Sequence, residues 1–83
     1  MKFLRMRPGY GEQLIAEGDI ELAEDEERLV AEFRRQLDQG MWAAVPVKTE
    51  TGRREAEMVR AFEDIPRTTD RVIFFPRAAG GAR

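Results

Sequence analysis

The C-terminal stretch of the chain contains the residues whose types and spacing best suit a chemical role. An apolar segment, residues 72–75, leads into Pro76 and Arg77, and a Gly80-Gly81 pair follows. Because glycine has no side chain, an extended Gly-Gly segment can pass through a narrow channel to a remote active site. Residues 77–81 would reach roughly 15 Å from the fold at about 3.3 Å per residue. The segment is therefore suited to presenting its own main chain to another protein.

The usual catalytic and metal-binding residues are missing, since the sequence contains no cysteine and no histidine. Their absence excludes disulfides, thiolate chemistry, zinc-type sites and the most common general base. Carboxylates, arginines, lysines, hydroxyls and a tyrosine remain, but they show no catalytic spacing, and a chain of 83 residues rarely has the walls for a substrate pocket. We therefore expect a protein that is not an enzyme and that binds neither a metal nor a cofactor.

Length and composition predict one globular domain. A chain of 83 residues with 42% hydrophobic and 36% charged residues has room for a single core. No apolar run approaches the length of about 18 residues that a membrane span needs, and residues 1–5 lack the apolar core of a signal peptide. We expect a soluble cytoplasmic protein without a membrane segment, in which residues 1–76 form one domain and residues 77–83 a flexible tail.

The net charge of −2 hides an uneven distribution along the chain. Residues 12–32 hold nine acidic side chains against Arg28 alone, whereas residues 33–83 hold ten basic and seven acidic side chains. An acidic chain with no basic helix and no known reader motif gives little support to nucleic-acid binding. A small phosphate or nucleic-acid site is the weakest alternative, and it would use Arg53, Arg54, Arg60 and Arg67.

The clearest predicted element is a helix over residues 23–39. Apolar residues at three- and four-residue spacings form one stripe, and acidic residues occupy the first turn, where the helix dipole favours negative charge. Gly40 fits the C′ position that ends a helix. We interpret the acidic cluster as a solvated helix start, with a docking site as the alternative. The stripe consists of Leu22, Leu29, Val30, Phe33 and Leu37.

A strand hairpin is predicted before the helix. Residues 2–8 alternate in a strand-like way, and Pro8-Gly9-Tyr10-Gly11 is typical of a turn, because proline fixes φ and glycine accepts a positive φ. Residues 12–20 alternate poorly, so their assignment as the second strand depends mainly on the turn.

Further strands are predicted after the helix. Residues 41–47 are apolar and compatible with a strand, in which we expect Trp42 to lie in the core. Residues 53–63 are good helix formers and are also readable as a strand returning through a loop at residues 48–52. Residues 64–70 form a connection, and residues 71–76, apolar on both faces, are typical of a central strand.

The C-terminal half resembles the small sulfur-carrier proteins of the β-grasp (ubiquitin-like) superfamily, above all the small subunit of molybdopterin synthase. In that family the last strand also runs through a Phe-Phe-Pro-like segment into a terminal Gly-Gly. Trp42-Ala43-Ala44-Val45 and Met58-Val59-Arg60-Ala61-Phe62 are similar to its middle strands. The chain departs from the family in a longer segment between these two stretches and in Ala82-Arg83, which follow the glycines. The resemblance favours a strand over residues 53–63.

The order of the elements predicts an α+β fold of the β-grasp type, with a mixed sheet of four to five strands packed on one main helix. A ferredoxin-like or other α+β sandwich is the alternative. The helix stripe is expected to pack against inward-facing strand residues, and those residues are expected to be Leu4, Met6, Val45, Ile73 and Phe75.

The resemblance also implies a function. In the family the terminal glycine carboxylate is activated as an adenylate by an ATP-dependent activating enzyme, and is then converted to a thiocarboxylate or joined to an amine. Carried over, Gly80 and Gly81 form the acyl-carrier terminus once a processing protease has removed Ala82-Arg83. Phe75, Pro76 and Arg77 would bind the partner. The alternative is a non-covalent protein interaction module or accessory subunit in which the tail carries no chemistry.

Overall fold

The computed structural model of the protein describes residues 1–48 and 50–77, and it shows an α+β fold. One five-stranded mixed sheet has the strand order β2-β1-β5-β3-β4, and α1 packs against one of its faces. In chain order the elements are β1 (Lys2–Arg7), β2 (Gly11–Glu17), α1 (Ala23–Asp38), β3 (Met41–Lys48), β4 (Arg54–Val59), a 3₁₀ turn (Phe62–Asp64) and β5 (Arg71–Pro76).

The last strand lies in the centre of the sheet, as the sequence predicted. β5 pairs in parallel with β1, from Lys2 opposite Arg71 to Arg5 opposite Phe74, and it pairs antiparallel with β3 on its other side. β1 and β5 therefore end at the same edge of the sheet, where β3 begins and α1 ends. We call this edge, where the described part of the chain ends at Arg77, the tail edge.

The predicted hairpin of β1 and β2 is confirmed. Gly9 and Gly11 have φ of +82° and +75°, which only glycine adopts without strain, and the Tyr10 N–H donates to the Arg7 carbonyl at 2.8 Å. β2 ends at Glu17, earlier than the predicted residue 20. Residues 18–22 instead form a connection to α1 in which Ile20 is buried.

The helix is confirmed over Ala23–Asp38, with Leu29 and Phe33 buried in the core. Gly40 follows it with φ +87°, and its N–H donates to the Leu37 carbonyl at 3.0 Å. The assignment of Leu22 to the apolar stripe was wrong. Leu22 is the N-cap residue, and it stays exposed because the chain turns there from the β2–α1 connection into the helix.

A cluster of aromatic rings fills the space between α1 and the sheet. Phe74 of β5 contacts Phe3 edge to face at a centroid distance of 5.2 Å and Phe33 of α1 at 5.7 Å. Phe62, in the 3₁₀ turn, meets the Phe33 ring at 6.0 Å. Such edge-to-face pairs add to the stabilisation that burial of the rings supplies.

The predicted inward faces of β1 and β5 were wrong. Phe3, Val72 and Phe74 are the fully buried residues of these two strands, whereas Met6 is exposed. Both strands carry at least one large apolar residue on each face, so the two-residue period did not decide which face the helix covers. Of the expected inward set, Val45 is buried as predicted. The residues found on the face away from α1 are Leu4, Met6, Ile73 and Phe75.

Arg5 is a charged residue on the face of β1 that packs against α1, and its side chain bonds to the helix. Its guanidinium donates to the side-chain oxygens of Gln36 at 3.3 Å and Gln39 at 2.9 Å. Gln36 is buried, and its amide nitrogen donates to Glu32 at 2.7 Å. The buried amide is therefore satisfied on both sides, and this polar link ties β1 to α1.

Residues 54–59, which are good helix formers by propensity, form strand β4. β4 pairs antiparallel with β3 from Ala43 opposite Val59 to Lys48 opposite Arg54, so the helix propensity of these residues was overridden. Pairing with a neighbouring strand and burial of Val59 outweigh propensity differences that amount to only tenths of a kcal/mol per residue. The strand predicted over residues 53–63 is confirmed for Arg54–Val59, but its C-terminal part was wrong, because residues 60–61 bend and Phe62 begins the 3₁₀ turn.

Arg67 fastens the connection before β5 to the start of α1. Its guanidinium donates to the Ile20 carbonyl at 3.0 Å and to the Glu26 carboxylate at 3.1 Å, and it lies 3.5 Å from Glu21. Arg67 is one of the four arginines considered for a phosphate or nucleic-acid site. Because it already pairs with carboxylates, such a site is less favoured.

Asp25 gives stability at the start of α1 a pH dependence. The Asp19 N–H donates to its carboxylate at 2.8 Å and Arg28 pairs with it at 3.0 Å, and these contacts lower the pKa of Asp25. A lowered pKa in the folded state adds stability above the unfolded-state pKa, and this stability is lost as the pH falls through the folded-state value. We expect Asp25→Asn to remove that part of the acid destabilisation.

The measurement is urea unfolding over a pH series that extends below the ordinary aspartate pKa of about 3.9. Glu24→Gln is the control, because the Glu24 carboxylate makes no hydrogen bond to another described residue. Equal slopes of unfolding free energy against pH for wild type and Asp25→Asn would contradict the prediction.

Candidate functional site

The residues predicted to bind a partner lie together at the tail edge. Phe75 is half-buried opposite Trp42, and Pro76 is exposed opposite Met41. Arg77 is exposed, and its backbone N–H donates to the Gly40 carbonyl at 3.3 Å, so the chain is held against the end of α1 up to this residue. The predicted acyl-carrier residues, Gly80 and Gly81, lie outside the described part of the chain.

A continuous apolar row crosses the open face, which is the face of the sheet away from α1. One residue of each strand contributes to it, because the strand registers place five apolar side chains opposite one another. In order across the sheet they are Leu14, Leu4, Ile73, Ala44 and Met58. Leu14 and Met58, at the two ends of the row, are substantially exposed. A row of this kind is typical of a protein-binding surface.

Trp42 extends the open-face surface toward the tail edge. The expectation that it lies in the core was wrong, because 41% of the residue is exposed. Along β3, Met41, Ala43 and Val45 face the helix, so the residue between Met41 and Ala43 faces the other side. Trp42 pairs with Phe75, and Met6 lies at the next position of β1. These three large side chains form a second apolar row beside the first.

A cleft of about 530 Å³ opens beside this surface, between the end of α1 and the start of β3. Its apolar wall includes Leu37, Met41, Trp42 and Met58, and two arginines, Arg60 and Arg77, complete it. Neither guanidinium makes a hydrogen bond or ion pair with any residue that the structure describes. We call this feature the arginine cleft. Its chemistry suits an apolar group that carries negative charge nearby.

Charge is distributed unevenly between the two ends of the molecule, although Glu12 and Asp38 also lie at the tail edge and Arg28 and Arg67 at the opposite one. The tail edge carries Arg5, Arg7, Arg60 and Arg77. The opposite edge, where β2 ends and α1 begins, carries a run of carboxylates from Glu17 to Glu27. The sequence showed the acidic run, but the arginines gather only because β1, β4 and β5 all end at one edge.

The described residues contain neither a cluster suited to a metal ion nor a helix suited to a membrane. No three acidic side chains within residues 1–48 and 50–77 are grouped so that they would hold a metal ion. The one helix described has neither the length nor the apolar character to cross a membrane.

Comparisons of the chain with protein-family models, with characterised proteins and with solved structures give no match. The functional argument therefore depends on the fold and on the surfaces described above.

The sequence predicted a partner-binding role for Phe75, Pro76 and Arg77, which stays a prediction, and most of the open-face surface was not foreseen. Leu4 and Ile73 were assigned to the core and Met58 to an undecided face. The apolar character of these residues was visible in the sequence. Their alignment into one row depends on the pairing registers, which join residues up to 69 positions apart, as with Leu4 and Ile73.

Proposed function

We propose that this protein is a β-grasp, ubiquitin-like carrier that acts through the carboxylate of Gly81 after Ala82 and Arg83 have been removed. The observation that carries the proposal is the central, parallel position of β5 beside β1. A hairpin, a helix across the sheet and a last strand between the first and third strands are compatible with a β-grasp. In this arrangement β5 ends next to an apolar face, shortly before Gly80 and Gly81 in the sequence.

The tail chemistry would be carried out by a partner enzyme. An ATP-dependent activating enzyme would join the Gly81 carboxylate to the α-phosphate of ATP, giving an acyl adenylate and releasing pyrophosphate. Hydrosulfide would then displace AMP and leave a thiocarboxylate, or an amine would displace AMP and form an amide. The chain itself supplies only the carboxylate and the binding surface. Because activation consumes ATP, we assign the carrier to the cytoplasm.

The open face is the surface that we assign to the activating enzyme. Phe75 lies two residues before Arg77, the last described residue, and it adjoins the exposed Trp42 and the apolar row. Burial of apolar area on the open face would supply affinity, while Gly80 and Gly81 would extend into the active site. A processing protease that removes Ala82-Arg83 is part of the same proposal.

The intact mass of the protein purified from its native cells tests the proposal. We expect a chain that ends at Gly81, or one that carries sulfur in place of a terminal oxygen or is joined to another protein through Gly81. A chain that keeps Ala82-Arg83 without an adduct, under every growth condition tried, would refute it.

A non-covalent interaction module is the second candidate function. The apolar row favours it independently, because that surface would bind a partner whether or not the tail is processed. Deletion of residues 80–83 separates the two functions. A carrier loses all activity in its cells, whereas an interaction module keeps its partner and its phenotype.

A further inference from the structure

An exposed leucine side chain lies at the acidic end of the molecule. Leu22 is the N-cap residue of α1, makes no capping hydrogen bond with its side chain and is 56% exposed. Ser, Thr, Asp and Asn are strongly preferred at an N-cap because their side chains accept a hydrogen bond from the first turn. The leucine therefore forgoes local helix stabilisation and places an apolar side chain on the surface.

The segment around Leu22 is held in a defined shape. The Asp19 N–H donates to Asp25 at 2.8 Å, Arg67 donates to the Ile20 carbonyl at 3.0 Å, and Ile20 is buried. Leu22 thus follows a segment that hydrogen bonds hold in place, so little backbone conformational entropy would be lost when its side chain binds a partner. Exposed carboxylates of Glu21 and Glu24 flank it. We call residues 19–24 the acidic tip.

The arginine cleft is chemically complementary to the acidic tip. It offers an apolar wall for a leucine side chain, and Arg60 and Arg77 have no carboxylate partner among the described residues. The tip and the cleft lie at opposite ends of α1, whose 16 residues span about 24 Å. They therefore cannot meet within one molecule, but they can meet between two.

We propose that the protein associates head to tail, with Leu22 of one copy inserted in the arginine cleft of the next. Glu21 and Glu24 of the first copy would pair with Arg60 and Arg77 of the second. In this head-to-tail arrangement each copy places its tip on one neighbour and receives the tip of another in its cleft, so the contact builds chains or closed rings. This association does not depend on any chemistry of the C-terminal tail.

The contact is small, so the association should be weak and sensitive to salt. An interface of one apolar side chain and two ion pairs predicts a Kd on the order of 0.1–1 mM. Ion pairs at the rim of an interface are screened at physiological salt, where the Debye length is about 8 Å. We expect sedimentation velocity of the full chain to show larger species as its concentration rises, and fewer of them as salt is added.

Leu22→Ser tests the tip without endangering the fold. Serine supplies the missing N-cap acceptor, so we expect an unchanged or higher melting temperature together with an association weakened by about tenfold or more. The double variant Arg60→Glu/Arg77→Glu should weaken association similarly. Its matched control is Arg34→Glu/Arg71→Glu, which changes the net charge equally at two exposed arginines outside the cleft.

A mixing experiment tests the geometry. Leu22→Ser keeps an intact cleft and Arg60→Glu/Arg77→Glu keeps an intact tip, so their mixture should stop at a complex of two chains. Trp42 lines the cleft and is the only tryptophan in the sequence. If Trp42→Phe is added to the cleft-blocked chain, the remaining tryptophan should shift its emission to the blue when a tip binds.

The proposal is overturned if the wild type sediments as a monomer at every concentration. It is also overturned if the control double variant weakens association as much as Arg60→Glu/Arg77→Glu does. In the mixture, complexes larger than two chains, or no complex at all, would exclude the head-to-tail contact.

Discussion

Phe74→Ala is expected to remove a large part of the stability of this protein. The Phe74 ring is fully buried and packs against the rings of Phe3 at 5.2 Å and Phe33 at 5.7 Å. Truncation of a buried phenylalanine costs about 3–5 kcal/mol, because burial is lost and a cavity remains. A domain of 83 residues has an unfolding free energy of only about 4–12 kcal/mol. Urea unfolding followed by circular dichroism measures the loss.

Phe75→Ala is the matched control for this prediction. It removes the same side chain from the next residue of β5, but from the open face, where the ring is only partly buried. We expect a loss of less than about 1.5 kcal/mol. A loss as large as that of Phe74→Ala would mean that the open face is covered in the folded protein.

The same Phe75→Ala variant is expected to have a large effect on function. If the open face binds an activating enzyme, loss of a central aromatic contact should cost at least about 2 kcal/mol of binding. This corresponds to a fall of about thirtyfold in affinity. The measurement is the fraction of chain that carries a thiocarboxylate or conjugate at Gly81, determined by intact mass from native cells at low, matched expression of wild type and variant.

Tyr10→Ala provides the control for the functional effect. Tyr10 is an exposed aromatic residue in the turn between β1 and β2, away from the apolar row. It should leave the modified fraction unchanged. If Phe75→Ala also leaves that fraction unchanged while wild type is modified, the tail chemistry does not use the open face. An unmodified wild type would instead refute the carrier proposal itself.

The order and type of the elements followed from local sequence signals. The Pro8-Gly9 turn, the apolar stripe of α1 and the glycine at position 40 are decided by φ preferences and by helical periodicity, which act between neighbouring residues. β4 is the exception, because its residues favour a helix and only pairing with β3 makes them a strand. The resemblance to a family supplied that assignment where propensity did not.

The faces of the central strands were not decided by the sequence. β1 and β5 carry large apolar residues on both sides, so either set, Phe3 with Phe74 or Leu4 with Phe75, satisfied the pattern. Arg5 offered a misleading signal, since a charged residue was not expected to face the helix. Buried Gln36 accepts its hydrogen bond and makes that orientation stable.

By itself the sequence determined one α+β domain, its helix, its strand order along the chain and a strand that leads into Gly80-Gly81. These features depend on contacts between near neighbours and on the alternation of apolar residues. Only the tertiary structure decided that an apolar row crosses the open face, that Trp42 belongs to that face, and that Arg60 and Arg77 share a cleft. The reason is that strand order and register bring together residues far apart in the chain, and no local preference encodes that pairing.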